Sequence, residues 1–151
     1  MNSINPEADP VVRDLLDNGK SLADYAGLSK DALRVLYANA VGHYEAGRLE
    51  DAAAGLFHLV ALDPHSEDYW ALYGNTLMKL GDFANAVSAW EMALACAPRY
   101  ATAAMIARTA IAIGQLDRAA EALVVARKYK QTTAQEAEFD ALIESWYAAR
   151  G

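Results

Sequence analysis

The side chains of this chain that could ligate a metal or attack a substrate are three histidines and one cysteine, namely His43, His58, His65 and Cys96. They are scattered along the sequence, which contains no His-Glu-x-x-His, no Cys-x-x-Cys and no glycine-rich phosphate loop. We therefore expect no catalytic residues, no metal site and no cofactor. His43 falls on a stripe that should face the core, and Cys96 should be a buried, inert thiol at a helix end.

A repeated hexapeptide indicates the helices that must position any site. The hexapeptide is Gly-x-(Leu/Phe)-x-x-Ala, and it occurs three times, beginning at Gly47, Gly81 and Gly114. The three glycines are 34 and 33 residues apart. A period near 34 is typical of stacked helix–turn–helix units, because one such unit cannot bury its apolar face without neighbours. The sequence therefore predicts an all-α fold, an α-solenoid of three helical-hairpin repeats.

The middle unit shows the packing that this pattern requires. Its first and second helices carry apolar faces at helical spacing, made by Trp70, Tyr73, Gly74 and Leu77 and by Ala86, Trp90 and Ala93. Gly74 is small where the two backbones must cross, and the tryptophans fill the volume beside it. This set resembles the tetratricopeptide (TPR) repeat. In the first unit Leu36 takes the place of the tryptophan, and the third unit lacks the closing proline.

The segment before the first repeat narrows the resemblance. It contains Gly19 and then Leu28-Ser29, and Leu36-Tyr37 follows at the start of the first repeat. Ser29 is a good N-cap for the first helix of that repeat. With three TPR units in 151 residues, the chain resembles the class II chaperones of bacterial type III secretion. That resemblance implies a non-enzymatic cytoplasmic chaperone whose partners are hydrophobic translocator proteins, held as an extended segment in a concave groove.

The resemblance also implies a homodimer formed partly through the N-terminal segment. The predicted dimer contacts are apolar residues that lie before the repeats, Val12, Leu15, Leu16 and Leu22. The alternative is that this segment folds back onto the first repeat.

The organisation predicted from these signals has three parts. Residues 1–29 form a leader with a short helix, the repeats occupy about 30–64, 65–98 and 99–131, and residues 132–151 form a capping helix. Thr133-Ala134-Gln135-Glu136 reads as the capping box that opens this last helix. Its apolar positions, from Phe139 to Tyr147, should cover the end of the array, as solenoids require. The acidic residues of the same helix should face water, namely Glu136, Glu138, Asp140 and Glu144. The alternative is a helix that binds a partner or a second copy.

The peptide-binding groove should be lined by the face of each first helix that avoids the core stripe. The residues on that face are Tyr37, Val41 and Tyr44 in the first unit, Ala71, Asn75 and Met78 in the second, and Ala104, Arg108 and Ile111 in the third. Within each unit the spacing is four and then three, which places the side chains on one face. The surface is mostly apolar and suits an extended peptide with hydrophobic anchors. The alternative for Tyr37 and Tyr44 is packing against the leader or the neighbouring unit.

Charge and hydropathy exclude several partners. The net charge of −7 argues against direct nucleic-acid binding, which depends on neutralising phosphates. The basic run from Arg99 to Lys130 is expected to be a solvated helix face, with electrostatic steering of a partner as the alternative. The apolar run Ala103–Ala107 is short and is interrupted by Arg108, so we expect no membrane span. The start of the chain lacks a secretory pattern, and the single cysteine fits a reducing compartment.

Two other classes of helical-repeat protein compete with the chaperone hypothesis. An adaptor that grips a C-terminal carboxylate would need lysine, arginine or asparagine at five groove positions, but this chain has Tyr37, Val41, Leu72, Ala101 and Met105 there. A chaperone of needle subunits is the nearer rival. Such chains are smaller and lack the leader, and the identity of a co-purifying client distinguishes the two.

Overall fold

The computed structural model describes residues 17–151, and these contain eight helices and no strand. In chain order the helices are α1 Leu22–Tyr25, α2 Lys30–Glu45, α3 Leu49–Leu62, α4 Glu67–Lys79, α5 Phe83–Cys96, α6 Tyr100–Ala112, α7 Leu116–Tyr129 and α8 Thr133–Arg150. The pairs α2–α3, α4–α5 and α6–α7 are hairpins, and the second helix of each also packs against the next first helix. The prediction of an all-α array of helical hairpins is confirmed.

Glycine ends the first helix of every hairpin. Gly47, Gly81 and Gly114 have φ of 74°, 82° and 76°, values that side chains with a β-carbon rarely adopt. At the second of these turns the Asp82 amide donates to the Leu77 carbonyl at 2.9 Å, which satisfies a carbonyl left open at the helix end. The repeated hexapeptide is therefore a repeated helix stop followed by a helix start.

The interior consists of two apolar clusters that Tyr73 joins. The larger cluster is built from α4 to α8 and the smaller from α1 to α4, and Tyr73 packs against both. The capping helix α8 contributes Phe139 and Leu142 to the larger cluster. Trp146 fixes its far end, because Nε1 donates to the Leu116 carbonyl at 2.9 Å. A continuous core of this kind is what stacked repeats need in order to fold.

Equivalent positions of the second and third hairpins exchange large and small residues. Trp70 of α4 corresponds to Ala103 of α6, and Cys96 at the end of α5 corresponds to Tyr129 at the end of α7. Trp70 and Tyr129 both pack against the larger cluster. The second hairpin therefore places its large ring on the first helix, whereas the third places it on the second helix.

The predicted N-cap is correct for the first helix of the array, α2, and wrong for the last helix, α8. Ser29 Oγ accepts from the Ala32 amide at 3.1 Å, so the predicted N-cap of α2 is confirmed. The expected capping box at Thr133 is wrong by one residue, since Thr132 is the N-cap and its Oγ1 accepts from the Gln135 amide at 3.2 Å. Either threonine offers the same hydroxyl, and sequence alone did not distinguish them.

The leader contains a capped single turn. Ser21 and Asp24 form a capping box around α1, and the hydrogen bonds from Ser21 lower the pKa of the Asp24 carboxyl. Ala23 is buried in the smaller cluster, while Leu22 is exposed. The role of Leu22 as a dimer contact stays a prediction. The other predicted dimer contacts, Val12, Leu15 and Leu16, lie outside the described residues.

The outer face of α2 is more open than the repeat pattern suggested. Leu36, which stands in the place of Trp70, is exposed, and the His43 side chain is about a third exposed rather than core-facing. Among the described residues no hairpin precedes α2. These side chains therefore have no neighbour of the kind that Trp70 finds, where Nε1 donates to the Pro64 carbonyl at 2.8 Å.

Candidate functional site

The candidate site is the face of α2, α4 and α6 that carries the nine predicted groove residues, which we call the first-helix surface. Tyr37 begins it, and its ring lies 5.1 Å from the ring of Tyr69 on α4, at an angle of 40°. Burial raises the pKa of both tyrosines. Tyr37 thus packs against the next hairpin, the alternative foreseen for it, and presents only part of its ring to a ligand.

The most open part of this surface lies where α2 and α4 end. Val41 and Tyr44 are half-buried, and Met78 is 39% exposed. The ammonium of Lys79 stands 4.0 Å from the centroid of the Tyr44 ring, a favourable cation–π distance. An apolar patch with one cation at its edge results.

Asn75 stands in the middle of the first-helix surface. Its side-chain oxygen accepts a hydrogen bond from Trp90 Nε1 at 3.0 Å, which joins α4 to α5. The amide NH₂ of the same side chain is left to donate to a ligand. Ala71, one turn earlier, is half-buried and carries only a methyl group.

The third unit contributes much less than expected, because α8 packs against α6. Ala104 is 2% exposed, so its prediction as a groove residue is wrong. Arg108 is exposed but forms an ion pair with Glu138 of α8, a residue that was expected to face water. Ile111 is half-buried. The accessible part of the surface therefore lies mainly on α2 and α4.

A tyrosine reinforces this α6–α8 contact. The hydroxyl of Tyr100 lies 2.9 Å from the Gln135 carbonyl and 3.0 Å from Glu138 Oε2. Burial and the bond to Glu138 raise the pKa of Tyr100 to about 12. The site closes at this end through a hydrogen-bonded cluster rather than through apolar packing alone.

The histidines and the cysteine do not form a chemical centre. His43 Nδ1 accepts from Arg48 Nε at 2.9 Å, and no group of three or more potential metal ligands converges among residues 17–151. Cys96 is exposed, so the expectation of a buried thiol is wrong. The pKa of its thiol is nevertheless raised, first by partial burial and then by the negative charges of Glu67 and Asp63.

Two open cavities that border α7 were not foreseen from the sequence. One of about 660 Å³ lies between α5 and α7, and one of about 420 Å³ lies between α7 and α8. Val124, which is 71% exposed, lines both. The sequence signal for these cavities was Val124 itself, an apolar residue outside the core-facing stripe of α7. Across residues 17–151 no helix combines the length and apolar character needed to cross a membrane.

Comparison with known proteins places this fold in context. No family model matches the chain. The TPR repeat-containing protein PA0015 of Pseudomonas aeruginosa is 35% identical over 78 residues, which cover 52% of this chain and 74% of that protein.

Among solved structures, a type III secretion system complex from Aeromonas hydrophila has a TM-score of 0.77, with 20% identity over 94% of this chain and 98% of its own. The chaperone SycD of Yersinia enterocolitica, bound to a peptide of the translocator YopD, has a TM-score of 0.65 and 20% identity, covering 82% and 95% of the two chains. PcrH of Pseudomonas aeruginosa, in complex with the chaperone binding region of PopD, has a TM-score of 0.65 and 25% identity, again covering 82% and 95%. The resemblance to type III secretion chaperones is thereby confirmed.

Proposed function

We propose, since the chain belongs to the TPR proteins, that it is a non-enzymatic chaperone that binds an apolar segment of a type III secretion translocator on its first-helix surface. The observation that carries the proposal is the likeness to PcrH over 82% of this chain, because that structure contains the chaperone binding region of PopD. We place the protein in the bacterial cytoplasm, where such a client would need protection before secretion.

The open part of the first-helix surface has the chemistry that an extended apolar segment requires. Tyr44 offers an aromatic ring with a polar end, and Met78 offers a flexible thioether that adapts to irregular apolar shapes. Asn75 supports an extended backbone, since its free NH₂ group can donate to a peptide carbonyl. The segment would therefore be held by side-chain anchors and by at least one hydrogen bond to its main chain.

The α6–α8 contact sets the extent of the bound segment. Ala104 is buried, and Arg108 is engaged by Glu138, so the segment would lie over α2 and α4 and end near Ile111. Lys79 stands at the edge of this path. We infer that a client places apolar residues against Tyr44 and Met78 and avoids a cation beside Lys79.

The test compares two methionines of similar exposure on different helices. Met78 on α4 is 39% exposed and Met92 on α5 is 43% exposed. Met78→Glu places a charge where a client would remove it from water, which costs several kcal/mol, whereas Met92→Glu leaves the first-helix surface intact. Each variant is co-expressed with a tagged translocator from the same secretion system, and the soluble complex is measured after purification.

We expect Met78→Glu to abolish the soluble complex and Met92→Glu to preserve it, with unchanged circular dichroism for both. Equal retention of the client by the two variants would refute the first-helix surface. If a small helical needle subunit, and no translocator, co-purifies with the wild-type chain, the needle-subunit chaperone replaces this proposal.

We also propose that the chain forms a homodimer through its N-terminal segment, with Val12, Leu15, Leu16 and Leu22 as contacts. The exposure of Leu22 supports this assignment. Light scattering on the full chain and on Leu22→Glu should give a dimer mass and a lower mass, respectively. A monomer mass for the full chain at high concentration would contradict it.

A further inference from the structure

In each preceding hairpin a second helix packs against one side of the first helix. The equivalent side of α8 has no such helix among the described residues. Helix α8 begins 66 residues after α4 and 33 after α6. In this register Phe139, Asp140 and Ile143 stand where α4 has Tyr73, Gly74 and Leu77. In α4 that face packs against the partner helix α5, and Gly74 lies directly against Trp90. Helix α8 is thus a first helix whose hairpin partner is not among the described residues.

The space that such a partner would fill is open. The cavity of about 420 Å³ between α7 and α8 is lined by apolar and charged side chains, including Leu123, Val124, Arg127, Phe139, Asp140 and Ile143. We call it the α7–α8 slot. The second helices that occupy equivalent positions, α5 and α7, are each 14 residues long. The repeat register therefore favours a helix over an extended strand.

Two opposite charges define what kind of helix fits. Arg127 lies on the α7 wall and Asp140 on the α8 wall, and both are exposed. Within residues 17–151 neither of them has a hydrogen bond or an ion pair. Asp140 also stands at the helix crossing where α4 has Gly74. An indole such as that of Trp90, packed at this crossing, would leave the Asp140 carboxylate without a hydrogen-bond partner.

We propose that the α7–α8 slot binds an amphipathic helix of a partner protein, with apolar residues against Leu123, Phe139 and Ile143. A lysine or arginine at the crossing pairs with Asp140, and an acidic residue pairs with Arg127. This surface is formed by α7 and α8, whereas the open first-helix surface is formed by α2 and α4. The two surfaces therefore share no lining residue.

The chain itself supplies a suitable probe. A synthetic peptide of residues 114–131 contains α7, which occupies the equivalent position on α6. In that peptide Leu123 corresponds to Trp90, the residue at the crossing. Two probes are compared, one with Leu123→Lys and one with Leu123→Glu.

Binding is followed on the full chain labelled with 5-fluorotryptophan. Trp146 lines the slot, while Trp70 and Trp90 lie in the second hairpin and serve as internal references. We expect the Leu123→Lys peptide to shift the Trp146 fluorine signal and to bind at least tenfold more tightly than the Leu123→Glu peptide. In the full-length variant Asp140→Lys this preference should reverse, and because Asp140 is exposed the fold should be retained.

Three results would overturn the proposal. The first is that neither peptide shifts the Trp146 signal at millimolar concentration. The second is that the preference between the two peptides does not reverse in Asp140→Lys. The third is that the Trp146 signal changes with protein concentration in the absence of peptide, which would assign the slot to a second copy of this chain.

Discussion

The indole of Trp90 lies so close to Gly74 that a β-carbon at residue 74 would stand 2.4 Å from Trp90 Cδ1 and 2.5 Å from Nε1. The ring cannot withdraw without loss, because Nε1 donates to Asn75 Oδ1 at 3.0 Å. This contact fixes α4 against α5 and, through Asn75, connects the core of the hairpin to the first-helix surface.

Gly74→Ala should therefore destabilise the protein. Alanine favours a helix over glycine by about 1 kcal/mol, but overpacking of a filled core costs about 1–3 kcal/mol. We expect a net loss in the free energy of unfolding, measured by urea denaturation. Gly55→Ala is the matched control, since its β-carbon would meet Ala40 at 3.6 Å, an ordinary contact. That variant should be neutral or more stable, and equal behaviour of the two would contradict the close-packing argument.

Substitutions of Tyr44 should depend on the sign of the introduced charge. The Lys79 ammonium lies 4.0 Å from the Tyr44 ring centroid, so a glutamate at residue 44 has a cation nearby, whereas a lysine meets a like charge. We expect Tyr44→Lys to weaken client binding more than Tyr44→Glu, and Tyr44→Phe to preserve most of it. Calorimetric titration of a translocator peptide checks the order. Equal losses for lysine and glutamate would show that Lys79 does not affect this position.

Tyr100 should make stability fall at alkaline pH. Its pKa is raised to about 12 in the folded protein, whereas an unfolded tyrosine titrates near 10. The folded state therefore holds the proton more tightly, so the contribution is complete below pH 10 and is lost as pH rises from 10 to 12. Urea denaturation of wild type and Tyr100→Phe should show a gap of about 1–2 kcal/mol at pH 8. The gap should narrow at pH 11, and a constant gap would refute the assignment.

Arg118 should stabilise the protein through a bidentate ion pair between two hairpins. Its guanidinium contacts both oxygens of Glu91 at 2.8 and 2.6 Å and also reaches Ser88 at 2.9 Å, which joins α7 to α5. Such bidentate geometry is the case in which a partly exposed pair contributes. Arg118→Lys should lower the free energy of unfolding by about 1 kcal/mol. The exposed pair of Arg34 with Asp31 is the control, and Arg34→Lys should stay within about 0.5 kcal/mol.

The sequence was sufficient for features that a single hairpin encodes. Gly81 ends a first helix because only local backbone geometry is involved, and Ser29 caps α2 through a hydroxyl three residues from its donor. These signals lie within a few residues of one another, so no tertiary information was needed to find them.

What the sequence did not reveal depends on contacts between hairpins. Ala104 occupies the same register as Ala71, but α8 covers it and not its counterpart. Glu138 looked like a solvated residue until α8 was placed beside Arg108 and Tyr100. The α7–α8 slot could not be found from the sequence, because Arg127 and Asp140 belong to different helices and line the same slot only when those helices pack together.

The exchange of Trp70 and Cys96 in the second hairpin for Ala103 and Tyr129 in the third limits how this array can be re-engineered. A recombinant that takes its first helix from one hairpin and its second from the other would combine Trp70 with Tyr129, which crowds two rings, or Ala103 with Cys96, which leaves a void. Crossovers placed in the turns between hairpins keep each ring with its small counterpart. Shuffling of this chain should therefore succeed at Pro64 and Pro98 and fail at Gly81 and Gly114.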